Sequence, residues 1–219
     1  MMKQLQVPFL ANLDSLLHLS EISALLNQQK REKIDELPWA QYPYKPEVAF
    51  SIAHNGSSIF LKYYVTEIET KAVYTEINQP VYRDSCVEFF IAFDNEREYY
   101  NLEFNSIGTC TAGYGSGKEG RSLLPANVIS KISFETFSRL ADDQNNYWEL
   151  CLSIPTTVFC HHHISDFEGL VCKGNFYKCG DDLAQPHFLA WNNIKSEEPN
   201  FHLPEFFGGI TLSRKPVLT

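Results

Sequence analysis

Glu88 and Glu103 are the two residues of this chain best placed to do chemistry together. They lie in PVYRDSCVEFFIAFDNEREYYNLEFNSIG, residues 80–108. In its first half Val87, Phe89, Ile91 and Phe93 alternate with Cys86, Glu88, Phe90 and Ala92. In its second half Tyr100, Leu102 and Phe104 alternate with Asn101, Glu103 and Asn105. A period of two puts each set on one face of a sheet. The apolar sets must face a core, so Glu88, Asn101, Glu103 and Asn105 share the opposite face. Asp94-Asn95-Glu96-Arg97 supplies turn formers between the two runs. Pairing of Phe93 with Glu98 then sets Glu88 directly across from Glu103. Carboxyls so placed can accept hydrogen bonds from a ligand's hydroxyls, or form the acid/base pair of a glycosidase. Plain solvation is the simplest reading of the spacing alone.

Two aromatic residues bear on the choice. Tyr82 precedes the first of these strands, and Phe201 lies in EEPNFHLP, a loop too proline-rich for regular structure. Aromatic rings above a polar sheet face can stack on the CH face of a sugar while carboxyls and amides take its hydroxyls. They can equally cover the open end of a sandwich, and spacing does not decide between these. Other stretches carry less. Cys160-His161-His162-His163, with Cys172 and Cys179 downstream, invites a zinc reading. Consecutive side chains cannot converge on one tetrahedral ion, so a polar loop is expected and no metal ligand is assigned. Tyr114-Gly115-Ser116-Gly117-Lys118 lacks the spacing and the following helix of a phosphate loop.

The elements that must position these groups read as strands. Val48, Phe50 and Ile52 alternate inward, His54-Asn55-Gly56 makes a turn, and Ile59, Leu61, Tyr63 and Val65 follow in the same period. A further strand is expected over 109–114, then a mobile glycine-rich loop over 115–127 carrying Lys118 and Arg121. Residues 128–135 and 147–154 read as another hairpin, with Trp148, Leu150, Leu152 and Ile154 on one face and 142–146 as its turn. From 155 to 209 the pattern is irregular, and 210–212 is a closing strand. Ahead of all this, residues 16–37 open with a helical signal, Ser20 as N-cap and Ile22, Leu25 and Leu26 on one face. The expected architecture is all-β, an antiparallel β-sandwich of immunoglobulin or jelly-roll type with a short N-terminal helix. Residues 1–38 form a helical extension packed on the sandwich, and 39–219 the sandwich itself.

The composition is compatible with one large core: 44% hydrophobic and 14% aromatic over 219 residues. A net charge of −9 disfavours nucleic acid and anionic membranes as partners. The opening MMKQLQVPFL has no uninterrupted apolar core and no run approaches membrane-spanning length. The expectation is a cytoplasmic protein, or an exported one if a leader preceded this stretch. The six cysteines show no CxxC spacing and are expected to be free thiols.

The segments DSCVEFFIAFD, YYNLEFNSIGT, GNFYKCGDDLAQPHFLAWN and NFHLPEFFG resemble the family 9-like carbohydrate-binding modules of the wider DOMON-like β-sandwich group. The likeness runs from about Trp39 to Arg214. It implies a non-catalytic sandwich that holds the terminal sugar of a glycan between two rings. By position these are Tyr82, six residues before Glu88, and Phe201, which opens the closing F-x-x-P-x-x-F-G segment. Glu88 matches the family's hydroxyl-binding glutamate, Glu103 stands where well-understood members carry Arg, and Trp191 matches a packing residue. The resemblance implies a saccharide or glycan chain end as ligand and a glycan-degrading enzyme as associate. It implies no cofactor beyond structural calcium, near whose expected place only Asp35 and Glu36 are acidic. The competing readings are a glycoside hydrolase using Glu88 and Glu103, and a structural docking domain for such an enzyme.

Overall fold

Alternation of large apolar residues builds two facing sheets, seen in a computed structural model that describes residues 2–13, 17–93, 97–141 and 145–216. In chain order the strands begin with β1 (Gln4–Val7), β2 (Glu32–Lys33), β3 (Glu47–His54), β4 (Ser58–Glu67), β5 (Cys86–Ala92) and β6 (Tyr99–Asn105). They continue with β7 (Cys110–Gly115), β8 (Arg121–Leu123), β9 (Ser133–Leu140), β10 (Asn146–Pro155), β11 (Val171–Cys179), β12 (Phe188–Ala190) and β13 (Gly208–Leu212). Two helices, α1 (Leu19–Leu26) and α2 (Ala126–Ile129), complete the regular structure. One sheet runs β1-β13-β11-β5-β6-β7-β8, with β12 paired to β11, and the other runs β2-β3-β4-β10-β9. All pairings are antiparallel except β1 with β13.

Between the sheets lie the inward sets the alternation defines: Phe50, Ile52, Leu61, Tyr63, Trp148 and Leu150 from one, Val87, Phe89, Ile91, Leu102 and Phe104 from the other. Phe176 of β11 stacks on Phe50 and Phe89 at 3.8 and 4.9 Å, and Trp191 packs edge-on against it. Trp191 is therefore the packing residue expected.

The two sheets are also tied by charge. Lys178 of β11 points into the sandwich and pairs with Glu67 at the end of β4, Nζ to Oε2 2.8 Å, with both side chains sealed from solvent. Trp148 Nε1 donates to the other Glu67 oxygen at 2.6 Å. Lys178 Nζ also bonds the Cys179 carbonyl at 2.9 Å and lies 2.8 Å from His187 Nε2. Burial, reinforced by Lys178, holds the His187 imidazole down at about 3. It is thus neutral, accepting through Nε2 while Nδ1 donates to the Gln185 carbonyl.

Several expectations change. Within 16–37 the helix covers 19–26, and its N-cap is His18 rather than Ser20, because the Glu21 carboxylate accepts from the His18 N–H at 2.9 Å. The polar stretch after it turns back and enters the sheet as β2. Residue 16, and residues 94–96 and 142–144 of the turns expected at 94–97 and 142–146, lie outside the described residues. The extension over 1–38 supplies more than a helix, since β1 and β2 border opposite sheets and Leu5, Val7 and Ile34 join the core. The helix sits on the outer face of the second sheet, where buried Lys62 bonds Ser23 and Asn27 at 2.7 and 2.9 Å and Glu149 at 2.7 Å. The glycine-rich loop contains β8, and the strand expected from 128 begins only at Ser133, after α2. Finally, the irregular stretch over 155–209 contains β11, which pairs with β5 along its length. Its pattern is broken by Lys178 at a core position and by Gly174, where a Cβ would meet the Phe90 carbonyl at 2.5 Å.

Removing one partner of a buried ion pair strands the other charge. Lys178→Met should therefore lower stability by about 3–5 kcal/mol in urea denaturation, while Lys178→Met combined with Glu67→Leu should recover much of that loss. The neutral His187 gives a second outcome. Its folded value lies below the unfolded one, so stability is complete above about pH 6.5 and declines below it as the unfolded chain gains a proton the fold refuses. Glu67, Lys178 and Tyr44 are the charged or titratable groups around this ring. Between pH 7 and 5, the stability of His187→Gln should fall less steeply than that of the unmutated protein, by up to about 1.4 kcal/mol per pH unit.

Candidate functional site

Cross-strand register brings the two glutamates together. Glu88 of β5 pairs directly with Glu103 of β6, and on its other side with Tyr177 of β11. All three strands turn their other face to the sandwich core, so this outer face is the floor of whatever covers it. The cover is apolar: Trp39, Val81, Ile194, Phe201 and Phe207 pack over Phe90, Tyr99 and Tyr177. One gap remains above the glutamates, a cavity of ≈ 250 Å³. Glu88, Glu103 and Cys179 form its floor, and Tyr82, Phe188, Asn200, Phe201 and His202 line it, with Lys118, Arg121 and Asp181 among the charged groups. The structure thus gathers Tyr82, Glu88, Glu103 and Phe201 around one cavity. Larger hollows of ≈ 500 and ≈ 570 Å³ elsewhere lack a pair of buried carboxyls.

Each wall has its own support. The chain at Tyr82 turns through Val81–Arg83, and the Tyr82 carbonyl accepts from the Asp181 N–H at 3.2 Å. Its ring is half-buried, with the Arg83 guanidinium 5.9 Å above it. Behind this turn Asp84 Oδ2 accepts from the Val73 and Tyr74 N–H groups and from Asn105 Nδ2 at 2.9–3.0 Å. Asn105, although on the polar face, is therefore a structural staple. Phe201 lies flat on Tyr177, centroids 4.1 Å apart and planes 7° off parallel, and the Tyr177 hydroxyl donates to its carbonyl at 3.2 Å. Only 8% of Phe201 is exposed. Phe201 thus has one face committed to the floor, whereas Tyr82 is only partly buried against the same apolar cover.

Charge in the cavity is finely divided. Burial pushes Glu88 well above the ordinary carboxyl range, the Glu103 carboxylate adds to this, and the Cys179 thiol donating at 3.2 Å only partly opposes it. Burial also raises Glu103, against the pull of Arg121, 3.8 Å away, and of Asn101, whose Nδ2 donates at 2.8 Å. Two adjacent buried carboxyls favour holding a proton between them. Asp181 is pushed up to about 6 by burial, with Asp182 reinforcing. His202, driven down to about 3 by burial and by Arg121, is neutral and lies 2.8 Å from the Tyr99 hydroxyl. Glu103 Oε2 and Asn101 Oδ1 are buried without a hydrogen-bond partner.

The family model for carbohydrate-binding family 9 matches residues 20–212. The chain belongs to carbohydrate-binding family 9. Among solved structures it is similar to a candidate carbohydrate-binding protein from Bacteroides uniformis, at 37% identity and TM-score 0.88, over 97% of this chain and 100% of that one. A family 9 module from Caldicellulosiruptor kristjanssonii solved with glucose shares the fold at 12% identity and TM-score 0.60, over 99% of each chain. The same organism's module with cellotriose gives TM-score 0.59 at 12% identity, over 98% of this chain and 95% of that one. No curated protein sequence matches the chain.

Against the family 9 expectations, Arg121 is the most informative addition. No arginine stands at position 103, yet a guanidinium reaches Glu103 from β8. The signal available in the sequence was two cations, Lys118 and Arg121, in one loop of an acidic chain. Phe188 and His202 carried no such mark, because β12 is only three residues long and His202 lies in a loop. Calcium is not supported by the donors present. Asp35 and Glu36 lie 3.7 and 3.3 Å from Lys3. Among the described residues the one group of His, Cys, Asp or Glu donors close enough to share an ion includes two thiols, which do not suit calcium. The Cys160–His163 run does not converge either: His161 stacks on Tyr114 at 4.3 Å while His162 meets Tyr100.

Phe201→Ala should cost about 3–5 kcal/mol, the range for a buried aromatic, and lower Tm by at least about 6 °C. Tyr82→Ala should shift Tm by no more than a few degrees. Differential scanning calorimetry of the two variants side by side makes the comparison.

Proposed function

We propose that this chain binds carbohydrate without catalysis and takes the terminal sugar of a glycan in the cavity above Glu88 and Glu103. The observation that carries the reading is a dry floor of hydrogen-bonding groups left incomplete. A buried acceptor without a donor costs roughly 1–3 kcal/mol, and Glu103 Oε2, on a residue that lines the cavity, is one. A sugar presents several hydroxyls close together, each able to donate and to accept, and its CH face suits the half-buried ring of Tyr82. Phe201 and Phe188 complete the apolar side. The cavity volume of ≈ 250 Å³ lies just under the roughly 300 Å³ at which small-molecule sites commonly begin. That favours a chain end over an internal stretch of polymer.

Family membership supports the reading, as do the family 9 neighbours solved with glucose and with cellotriose. These two sugars are the first probes. Hydrolysis fits less well. Both carboxyls rise from paired positions on adjacent strands of one floor, whereas glycosidic cleavage needs groups flanking the scissile bond. Service to a glycan-degrading enzyme, as a separate or linked binding unit, is the biological setting proposed.

Isothermal titration calorimetry with glucose and cellotriose tests the site. Removing the Tyr82 ring should forfeit about 50 Å² of apolar contact, about 1.3 kcal/mol or close to tenfold in affinity. Glu88→Gln and Glu103→Gln should each weaken binding by at least about tenfold. Aryl glycosides should not turn over. Unchanged affinity in all three variants would place the site elsewhere.

A further inference from the structure

Beside the Glu88 carboxyl lie two thiols, Cys86 and Cys179, that the proposed sugar recognition does not use. Cys86 and Glu88 are alternate residues of β5 and so project from the same face, and Cys179 of β11 is the cross-strand partner of Cys86. Two positions on one strand and one on its neighbour place three side chains at the corners of a small triangle. Their ligand atoms, Cys86 Sγ, Cys179 Sγ and a Glu88 oxygen, all lie within 4.8 Å of one another, with Cys179 Sγ 3.2 Å from Glu88 Oε1. All three residues are buried, at 0%, 1% and 3% exposure. Tetrahedral zinc, with Zn–S near 2.3 Å and Zn–O near 2.1 Å, holds such ligands about 3.6–3.8 Å apart. The triangle needs only small side-chain adjustments to reach that.

The chemistry of the set is selective. Two thiolates exclude calcium and magnesium and favour a soft or borderline ion such as zinc. Among the described residues no Lys, Arg or His forms an ion pair with Glu88; the nearby Arg121 guanidinium bonds His202 and lies 3.8 Å from Glu103. A buried carboxylate without a cation takes up a proton instead, and a divalent ion would displace that proton and supply the missing positive charge. Cys179 and Glu88 both line the cavity, so a fourth coordination position would open towards it. Three protein ligands and one open position is the arrangement of a zinc site accessible to a small ligand.

We propose that Cys86, Cys179 and Glu88 form a binding site for a zinc-class divalent ion in the cavity floor, its fourth position facing the cavity. The site shares Glu88 with the proposed sugar site but is argued from its donors alone, and the measurements below read the two apart.

The test uses the full chain, reduced and freed of metal with a chelator, titrated with Cd²⁺ and Co²⁺. One equivalent of Cd²⁺ should give a saturable thiolate-to-metal charge-transfer absorption, and Co²⁺ the intense visible bands of a tetrahedral site. Zn²⁺ should displace both ions and raise the Tm of the unmutated protein. Cys86→Ser and Cys179→Ser should each abolish the absorption, whereas Cys160→Ser, which alters the exposed thiol, should leave it intact. No saturable absorption and no Tm rise in the unmutated protein would overturn the proposal even if the serine variants fail to fold. So would a signal that survives Cys86→Ser or is lost in Cys160→Ser. Glucose calorimetry in the presence of chelator reads the sugar site independently.

Discussion

The middle of the larger sheet is dry on both faces, and this constraint shapes everything around it. Strands β5 and β6 are buried along their whole lengths, and β11 nearly so. Towards the sandwich they meet a continuous apolar core. Away from it they meet the loops that carry Trp39, Val81, Phe201 and Phe207. Any polar side chain on these strands must therefore find its partner inside the protein. Lys178 finds Glu67 across the sandwich, Asn175 bonds the Asn192 backbone at 2.8 and 2.9 Å, and Asn105 joins Asp84. The two glutamates, and the Asn101 Oδ1 beside them, are the exceptions. Arg121 and Asn101 satisfy part of Glu103 and Cys179 part of Glu88, and the remainder faces the cavity. The stabilising network stops short at the place where sugar binding is proposed.

This constraint also explains what the sequence disclosed and what it concealed. Period-two alternation is unambiguous where a strand has one wholly apolar face. β3, β4, β5, β6 and β10, the inward set and the Glu88–Glu103 pairing were all readable for that reason. β11 was not, although it pairs with β5 and carries part of the floor. Its inward positions include Gly174 and Lys178, and only the distant Glu67 makes a lysine acceptable there. The same kind of long-range dependence hid β1 and β2, short edge strands whose partners lie far along the chain. Of the residues around the cavity, those on or beside readable strands were legible, Glu88 and Glu103 by period and Tyr82 by its place before β5. Arg121 and His202 act through tertiary proximity alone, one from a glycine-rich hairpin and one from a proline-flanked loop. Local pattern has no means to place them.

Electrostatics favours hydroxyl ligands over charged ones here. The cavity holds three carboxyls whose affinity for protons is raised, two cations and a neutral imidazole. With a proton held between Glu88 and Glu103, the floor offers both a donor and several acceptors in a small area. An anion would be drawn by Lys118 and Arg121 but would lie against the glutamates. A cationic group would compete with Arg121 for Glu103. A neutral polyol meets neither penalty, and each of its hydroxyls can match whichever role the neighbouring oxygen presents.

Floor and walls contribute differently to recognition. The floor is made of paired strands fixed from both sides, so its oxygens are already in place and little ordering is left to binding. The walls come from loops, yet the most important loop is not free. Phe201 is held flat on Tyr177 and tied by that residue's hydroxyl, so one of its faces is spent on the fold and its exposed remainder is small. Tyr82 has the opposite character, anchored through its backbone and open at its ring. A sugar held between them would gain apolar contact chiefly from Tyr82, while Phe201 sets the width of the opening by staying where the floor puts it. On the proposed reading, stability and affinity are separated onto two rings that the sequence presents as equivalent.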